Sequence, residues 1–542
     1  MADATPRPTP SAPAAALPPA GAAALPPEPK ITARRLIAFF ALVFGMFMAI
    51  LDIQIVSSSL SEIQAGLSAA PDEISWVQSS YLIAEVIMIP LSGFLARALS
   101  TRVLFTVSAA GFTLASVLCA TATNLEQMIV YRAFQGFIGG GMIPTAFAAS
   151  YTVFPKRAQG GVMALVGLTV TLAPTIGPTV GGYLTDLFSW HWLFLVNVIP
   201  GIAAATIAWT LVDFDEPERG LLRRIDILGL AAMALFLGSL EYVLEEGSKD
   251  DWFQSRLILQ LSILSVVAGV VFFWRAFTAK TPIVDLRAYV DRNFAVGSML
   301  TFVLGIGLYG LTYLYPLFLA RARGYTALQI GETVFVTGAF MFLAAPIVGN
   351  LARRVDPRKL IALGLVGFAI SSFELVPITR DWAFGELFLP QALRGVSLML
   401  CMIPINLLAL GTLPPDRIKN ASGLFNLTRN LGGAFGLATI NTILLNRSAL
   451  HESRLADHVH WGSPVAEERL ASIAAGFQPV LDTDSANAAA LHQLSTQVNG
   501  QAMVMAFSDI FLILAILFAT MVFLVPLVQR PKPTPGAAAA GH

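Results

Sequence analysis

"PLSGFLARALSTRVL" at residues 90–104 returns in the second half of the chain as "PIVGNLARRVDPRKL" at 346–360. The copies share Pro, Gly, Leu-Ala-Arg, Arg and Leu in register, and each lies at the end of an apolar run. A weaker echo follows, with Arg132 ahead of "MIP" at 142–144 and Arg394 ahead of "MIP" at 402–404. The chain therefore reads as an internal duplication.

Composition says what kind of unit is duplicated. Of 542 residues, 56% are hydrophobic and 13% charged, with a mean hydropathy of +0.70. Soluble domains carry roughly a quarter charged residues, so this is an integral membrane protein. A formal net charge of zero offers no basic surface for nucleic acid. Cys119 and Cys401 both sit in apolar runs, which argues against a disulfide framework and a zinc site.

About 20 apolar residues cross the hydrocarbon core. Such runs lie near 36–56, 76–96, 103–122, 127–152, 160–184, 190–212, 226–244, 256–277, 294–320, 329–351, 359–378, 384–412, 420–445 and 503–528. The pattern predicts an all-α integral membrane protein with fourteen transmembrane helices. Lys and Arg concentrate on the cytoplasmic side of such proteins. With the N-terminus inside, 23 fall on inner segments or at their span ends and eight on outer ones. Both termini are thus expected in the cytoplasm.

Parallel repeats of six helices place a substrate site between the halves, near the bilayer midplane. The expected units are a bundle over 36–215, an inserted helix pair over 216–285 (the seventh and eighth spans), and a second bundle over 286–530 with an outer loop at 446–502. The Pro- and Ala-rich segments 1–35 and 531–542 lack core periodicity and read as disordered tails. The first apolar run follows Arg34 and Arg35 and is long enough to span, which argues against a cleaved signal peptide.

Motifs in a fixed order sharpen the assignment. "LDIQIV" lies on the first span and "RAFQGFIGGGMIP" on the fourth. "APTIGPTVGG" on the fifth is followed by "WHWLFLVNVIPG", and "NASGLFNLTRNLGGAFGLA" lies on the thirteenth. Over residues 36–530 this series resembles the major facilitator superfamily, and within it the fourteen-helix drug:proton antiporters of the EmrB/QacA type, EmrB branch. The resemblance implies two pseudo-symmetric six-helix bundles, export of amphipathic compounds by alternating access, and a bacterial inner-membrane location. It also implies a periplasmic adaptor and an outer-membrane channel as partners.

It further assigns Pro174, Gly177, Pro178, Gly181 and Gly182 to the antiporter motif. Gly93, Arg97, Arg102, Gly349, Arg353 and Arg358 fall in the inner-loop motif. Two positions depart from the family: Arg97 stands where many members carry an acid, and Ser100 where they carry glycine. The small residues at 177, 181 and 182 would serve close helix packing in any bundle.

Charged residues inside a bilayer cost a few kcal/mol and usually face a partner or a cavity. Asp52 lies about 25 Å along its helix from Arg35, at a depth compatible with a pair to Arg132. Glu85 lies about 13 Å in from Trp76, close to mid-membrane, where burial favours a neutral carboxyl. Glu85 is therefore the leading proton carrier and Asp52 the second, each weighed against a purely structural carboxyl. Arg394 and Arg429 are also near mid-membrane. Either they hold an anionic group or respond to Glu85, or they only pair with backbone carbonyls or Glu residues across the bundle. Met46, Met48, Met88, Phe134 and Phe137 lie near the acids and suit an adaptable apolar pocket. His451, His458 and His460 are poorly spaced for a metal.

No GxxxxGK[ST] loop occurs, so an ion gradient is expected to drive transport. One charge crossing 100 mV releases about 2.3 kcal/mol, enough for about a fifty-fold concentration ratio. The expected function is proton-coupled export of amphipathic drugs. The alternatives are an uptake symporter for a metabolite and a membrane scaffold or intramembrane enzyme. No nucleophile with a His base appears in the spans, so neither a catalytic site nor a cofactor is expected.

Overall fold

A computed structural model describes residues 32–70, 73–460 and 462–529. Most of the two expected tails therefore lies outside the described residues. Every regular element among those described is helical. In chain order they are α1 (Ala33–Ser58), α2 (Leu60–Leu67), α3 (Trp76–Leu99), α4 (Thr101–Ala120), α5 (Leu125–Gly139) and α6 (Met142–Val153). Next come α7 (Lys156–Leu187), α8 (Trp192–Leu195), α9 (Val198–Leu211), α10 (Ile227–Glu246), α11 (Arg256–Thr278) and α12 (Arg292–Arg323). The series closes with α13 (Ala327–Leu351), α14 (Pro357–Phe373), α15 (Phe384–Gly411), α16 (Pro415–Ala456), α17 (Pro464–Phe477) and α18 (Thr483–Met521). The membrane surface at which α1 begins is called the near face below, and the opposite one the far face.

Local chemistry sets the boundaries. Side chains of Thr32, Asn124, Asp226, Asp291 and Asp356 accept hydrogen bonds from backbone N–H groups in the first turn of the helix that follows each. Thr326 and Gln329 form a reciprocal capping box at α13.

All fourteen expected spans coincide with helical segments. Ten helices among the described residues are long and apolar enough to cross a membrane, or eleven with the bent α7. The other three have identifiable reasons. The fourth expected span is split into α5 and α6 where Gly140 and Gly141 bring the chain against Met88 and Ser108. Helix α14 has 17 residues, and α16 carries a polar face. Helix α7 bends by 43° between Pro174 and Ile176, as a proline removes a ladder hydrogen bond. The expected outer loop 446–502 is largely helical, because α16 and α18 continue past the membrane and enclose α17.

Packing reproduces the duplication. Helix α1 packs on α6, α7 and α9, and α4 on α5 and α9; in the second half α12 packs on α15, α16 and α18, and α14 on α15 and α18. The halves meet through α3 against α16 and, related by the repeat, α13 against α7. At the near face this contact is between backbones. A Cβ added at Gly93 would lie 2.8 Å from Asn420 Cα, and one at Gly349 would lie 2.9 Å from the Gly160 oxygen. These are the two repeat-related glycines of the opening motif. The pair α10 and α11 pack on each other, and α10 also reaches α3 and α16. Asp226, at the start of α10, pairs with Arg275 near the end of α11 at 2.8 Å.

Candidate functional site

A cavity of about 420 Å³ lies between the halves, within the usual size range of small-molecule sites. Helix α1 lines it with Ile50, Ile53, Gln54, Ser57 and Ser58, a helical stripe, and α3 with Gln78, Leu82, Glu85 and Val86. Helix α10 contributes Glu241 and Glu245, α12 Tyr309, Thr312, Tyr313 and Pro316, and α16 Arg429, Asn430, Gly433 and Leu437. Several of these stand within about a turn of a helix end at the far face: Ser58, Gln78, Glu245, Ala320 and Ile330. On the other side the cavity stops at Glu85, Ile143 and Arg429, where inter-half packing is tight. Ser422 donates to the Pro144 carbonyl at 2.9 Å and Tyr151 to the Asn406 carbonyl at 2.7 Å. The cavity therefore opens to the far face and is closed at the near face.

Behind its wall, Asp52 and Arg132 are fully buried and paired at 2.7 Å. Asp52 also accepts from Asn197 at 2.7 Å and Gln135 at 3.2 Å. Arg132 donates to the Val77 carbonyl and to Gln135, and its guanidinium lies over the Tyr81 ring at 4.3 Å. Both Asp52 oxygens are thus engaged, and Asp52 does not line the cavity. Glu85 does. It is 3% exposed, and its Oε1 has no hydrogen-bond partner among the described residues.

Arg429 lines the opposite wall. Its guanidinium donates to Asn426 at 2.6 Å and lies over Phe147, while Nε and Nη1 have no hydrogen-bond partner among the described residues. Arg394 stands one layer back, donating to Thr312 at 2.9 Å and lying over Tyr315. Gln391, rather than Arg394, takes the place of Arg132 in the repeat: it donates to the Thr333 carbonyl as Arg132 donates to the Val77 carbonyl 256 residues earlier, which leaves Arg394 at the position of Gln135.

Five expected cavity residues are placed elsewhere. Met46 lies on the Ile50–Ile53 stripe one turn nearer the near face, below the floor, and is fully buried. Met48 is off that stripe in the core of the first half, and Met88 packs against Gly140 and Gly141. Phe134 and Phe137 are 42% and 40% exposed on the side of α5 away from Arg132 and do not line this cavity.

The antiporter-motif glycines pack α7 on α1. A Cβ at Gly177 would meet the Gln54 side chain at 2.4 Å, and one at Gly181 the Ser58 hydroxyl at 2.7 Å. Pro178 lines the cavity, Pro174 is buried, and the Gly182 carbonyl accepts from Thr185. In the inner-loop motif, Arg358 pairs with Asp356 at 3.0 Å, Arg353 lies beside Gly160, and Arg102 lies over Trp209. Among the described residues Arg97 has no acidic partner within ion-pair distance. A charge contact between the halves is made by Asp215, whose carboxylate accepts from the Thr101 N–H at 3.0 Å and pairs with Lys419 of α16. Ser100 has φ +83°, a backbone region that favours glycine. On the far-face side, His451 pairs with Asp509 at 2.8 Å.

Sequence reasoning missed Glu241 and Glu245. Their signal was a four-residue spacing, which puts two acids on one helix face within an otherwise apolar run.

A family model described as "Major Facilitator Superfamily" matches residues 42–437. The chain is 42% identical to the colistin resistance protein EmrB of Acinetobacter baumannii over 91% of its own length and 96% of that protein. It is 29% identical to the multidrug export protein EmrB of Escherichia coli over 95% and 99%. Among solved structures, the proton:xylose symporter XylE superposes with a TM-score of 0.58 at 14% identity, covering 92% of this chain and 99% of that one, a likeness of fold. The chain belongs to the Major Facilitator Superfamily, in its EmrB branch.

Proposed function

We propose that the protein exports amphipathic drugs or other hydrophobic toxic compounds in exchange for protons, by alternating access of the cavity between its halves. The observation that carries this reading is the pairing of a one-sided cavity with Glu85, a buried carboxyl with an unengaged oxygen on its wall. Units 36–215 and 286–530 rock about the cavity, with the pair in 216–285 riding between them. The near face is cytoplasmic, both termini lie there, and the membrane is the bacterial inner membrane. The far-face loop 446–502 then faces the periplasm, where the EmrB relatives suggest an adaptor and an outer-membrane channel as partners.

A proton arriving from the far face neutralises Glu85 and removes its attraction for Arg429 and for a bound substrate, so substrate leaves outward. Loss of that proton at the cytoplasmic side restores affinity. Proton and substrate compete for one carboxyl, which makes exchange obligatory. Asp52, with both oxygens engaged, serves in this scheme as the charge that holds Arg132 and couples α1 to α3 and α5.

The test is proton-gradient-driven efflux of a lipophilic dye from vesicles carrying wild type, Asp52→Asn or Glu85→Gln at matched expression. Glu85→Gln is expected to abolish uphill export while preserving downhill exchange. Normal pumping by Glu85→Gln would move the coupling role elsewhere.

A further inference from the structure

Helix α10 belongs to neither six-helix unit, yet it turns two carboxyls into the cavity. Glu241 and Glu245 are one turn apart and share the lining with Glu85. Glu241 is 7% exposed, and its charged neighbours are the carboxyls of Glu245 and Glu85. The next acid, Glu246, points elsewhere, bonded to Ser79 at 2.8 Å and Lys249 at 3.0 Å. Glu85 is an independent sign of a ligand: it is more than nine-tenths buried, and its unpartnered Oε1 belongs to a side chain on the cavity wall. Against these three carboxyls the described lining offers one cation, Arg429. Carboxyls gathered in a low-dielectric site are costly unless they take up protons or a counter-cation. The rest of the wall is mostly apolar, from Ile50, Ile53, Leu82 and Leu317 with the Tyr309 and Tyr313 rings beside them, and its other polar side chains, among them Gln54, Gln78 and Asn430, are uncharged.

We infer that Glu241 and Glu245, together with Glu85, form a subsite for the positively charged group of an amphipathic substrate, so that the inserted helix α10 sets charge specificity. The inference rests on the export reading above. The apolar wall takes the body of such a molecule, and the tyrosine faces stabilise a diffuse positive charge. Three carboxyls also give room for a cation and a proton to displace one another without leaving the cluster bare.

The experiment measures binding of two ions of matched shape and opposite sign, tetraphenylphosphonium and tetraphenylborate, to the full-length protein in detergent. Wild type is expected to prefer the phosphonium. Glu241→Gln/Glu245→Gln should weaken phosphonium binding by about ten-fold or more, the scale of one lost charge-assisted contact, while borate binding holds or tightens. Glu241→Asp/Glu245→Asp should recover most of the preference. The single Glu245→Gln, closer to the far mouth, should show a smaller shift in the same direction. Because each protein is judged on the ratio of two probes, a misfolded variant, which loses both, is told apart from one that has lost charge selection. Equal affinities in wild type, or a preference unchanged in the double variant, would overturn the subsite. Gradient-driven export of a neutral dye by wild type in proteoliposomes reads the transport function separately. Its absence defeats the export reading, whereas export without charge preference defeats only the subsite.

Discussion

Asp52 and Arg132 show what a charge inside a bilayer requires. Each is buried completely, and each is stabilised by the other and by Gln135, Asn197 and the Val77 carbonyl. Removing one partner strands the other charge, which costs about 3–5 kcal/mol, whereas removing both is often close to neutral. Thermal unfolding in detergent should therefore show Asp52→Leu and Arg132→Met each strongly destabilised, with the double variant recovering much of the loss. Ser100 makes the opposite case. Its φ of +83° and ψ of 156° lie where non-glycine residues cost about 1–3 kcal/mol. Glycine at a helix start forfeits only a few tenths of the capping energy. Ser100→Gly is expected to raise stability by about 1 kcal/mol, read as an increased Tm; an unchanged or lower Tm would mean that the hydroxyl contact to Val103 outweighs the strain.

Among the elements, α16 does three jobs that no single motif announces. Its first turns press on α3 at Asn420, its middle brings Arg429 to the cavity, and its end runs on past the far face into the helical segment that leads to α17. Lys419 anchors the first contact through Asp215, in place of the acid that the resemblance puts at position 97. Both side chains are 15% exposed, so the pair is more sheltered than a surface ion pair and its loss costs closure about 1 kcal/mol or more. Lys419→Met should shift the protein toward states open at the near face by a few-fold. Labelling of Ser422→Cys by a maleimide from that side reports it, and a rate equal to that of wild-type Lys419 would refute the lock. Native Cys119 and Cys401 are buried and free, so background labelling is low.

At the scale of the molecule, alternating access needs both inter-half seams to open and close. The near-face seam has no spare room: Gly93 meets the Asn420 backbone, and Gly349 meets Gly160. Gly93→Leu cannot adopt the closed packing and should hold the protein open to the near face. Far-side labelling of Ser57→Cys, at the mouth of the cavity, is then expected to fall along with export. Undiminished labelling would show that the seam tolerates a side chain and is not the gate.

What was readable from the chain alone was whatever repeats or has a period. Apolar runs gave the spans because hydrocarbon excludes unsatisfied backbone and leaves helices as the solution. The copies at 90–104 and 346–360 announced two related halves because one backbone contact is built twice. The depth of Asp52 and Arg132 followed from helical rise. Which face each helix turns to its neighbours does not follow from rise or hydropathy, because in a membrane both lipid-facing and core-facing positions are apolar. Phe134 and Phe137 therefore looked like pocket residues and are on the outside, Met46 lies below the floor, and Glu241 and Glu245 went unseen although they line the cavity. Only the packing of α10 against α3 and α16 carries those carboxyls to Glu85, and that contact is made between segments more than 120 residues apart, beyond the reach of any local pattern.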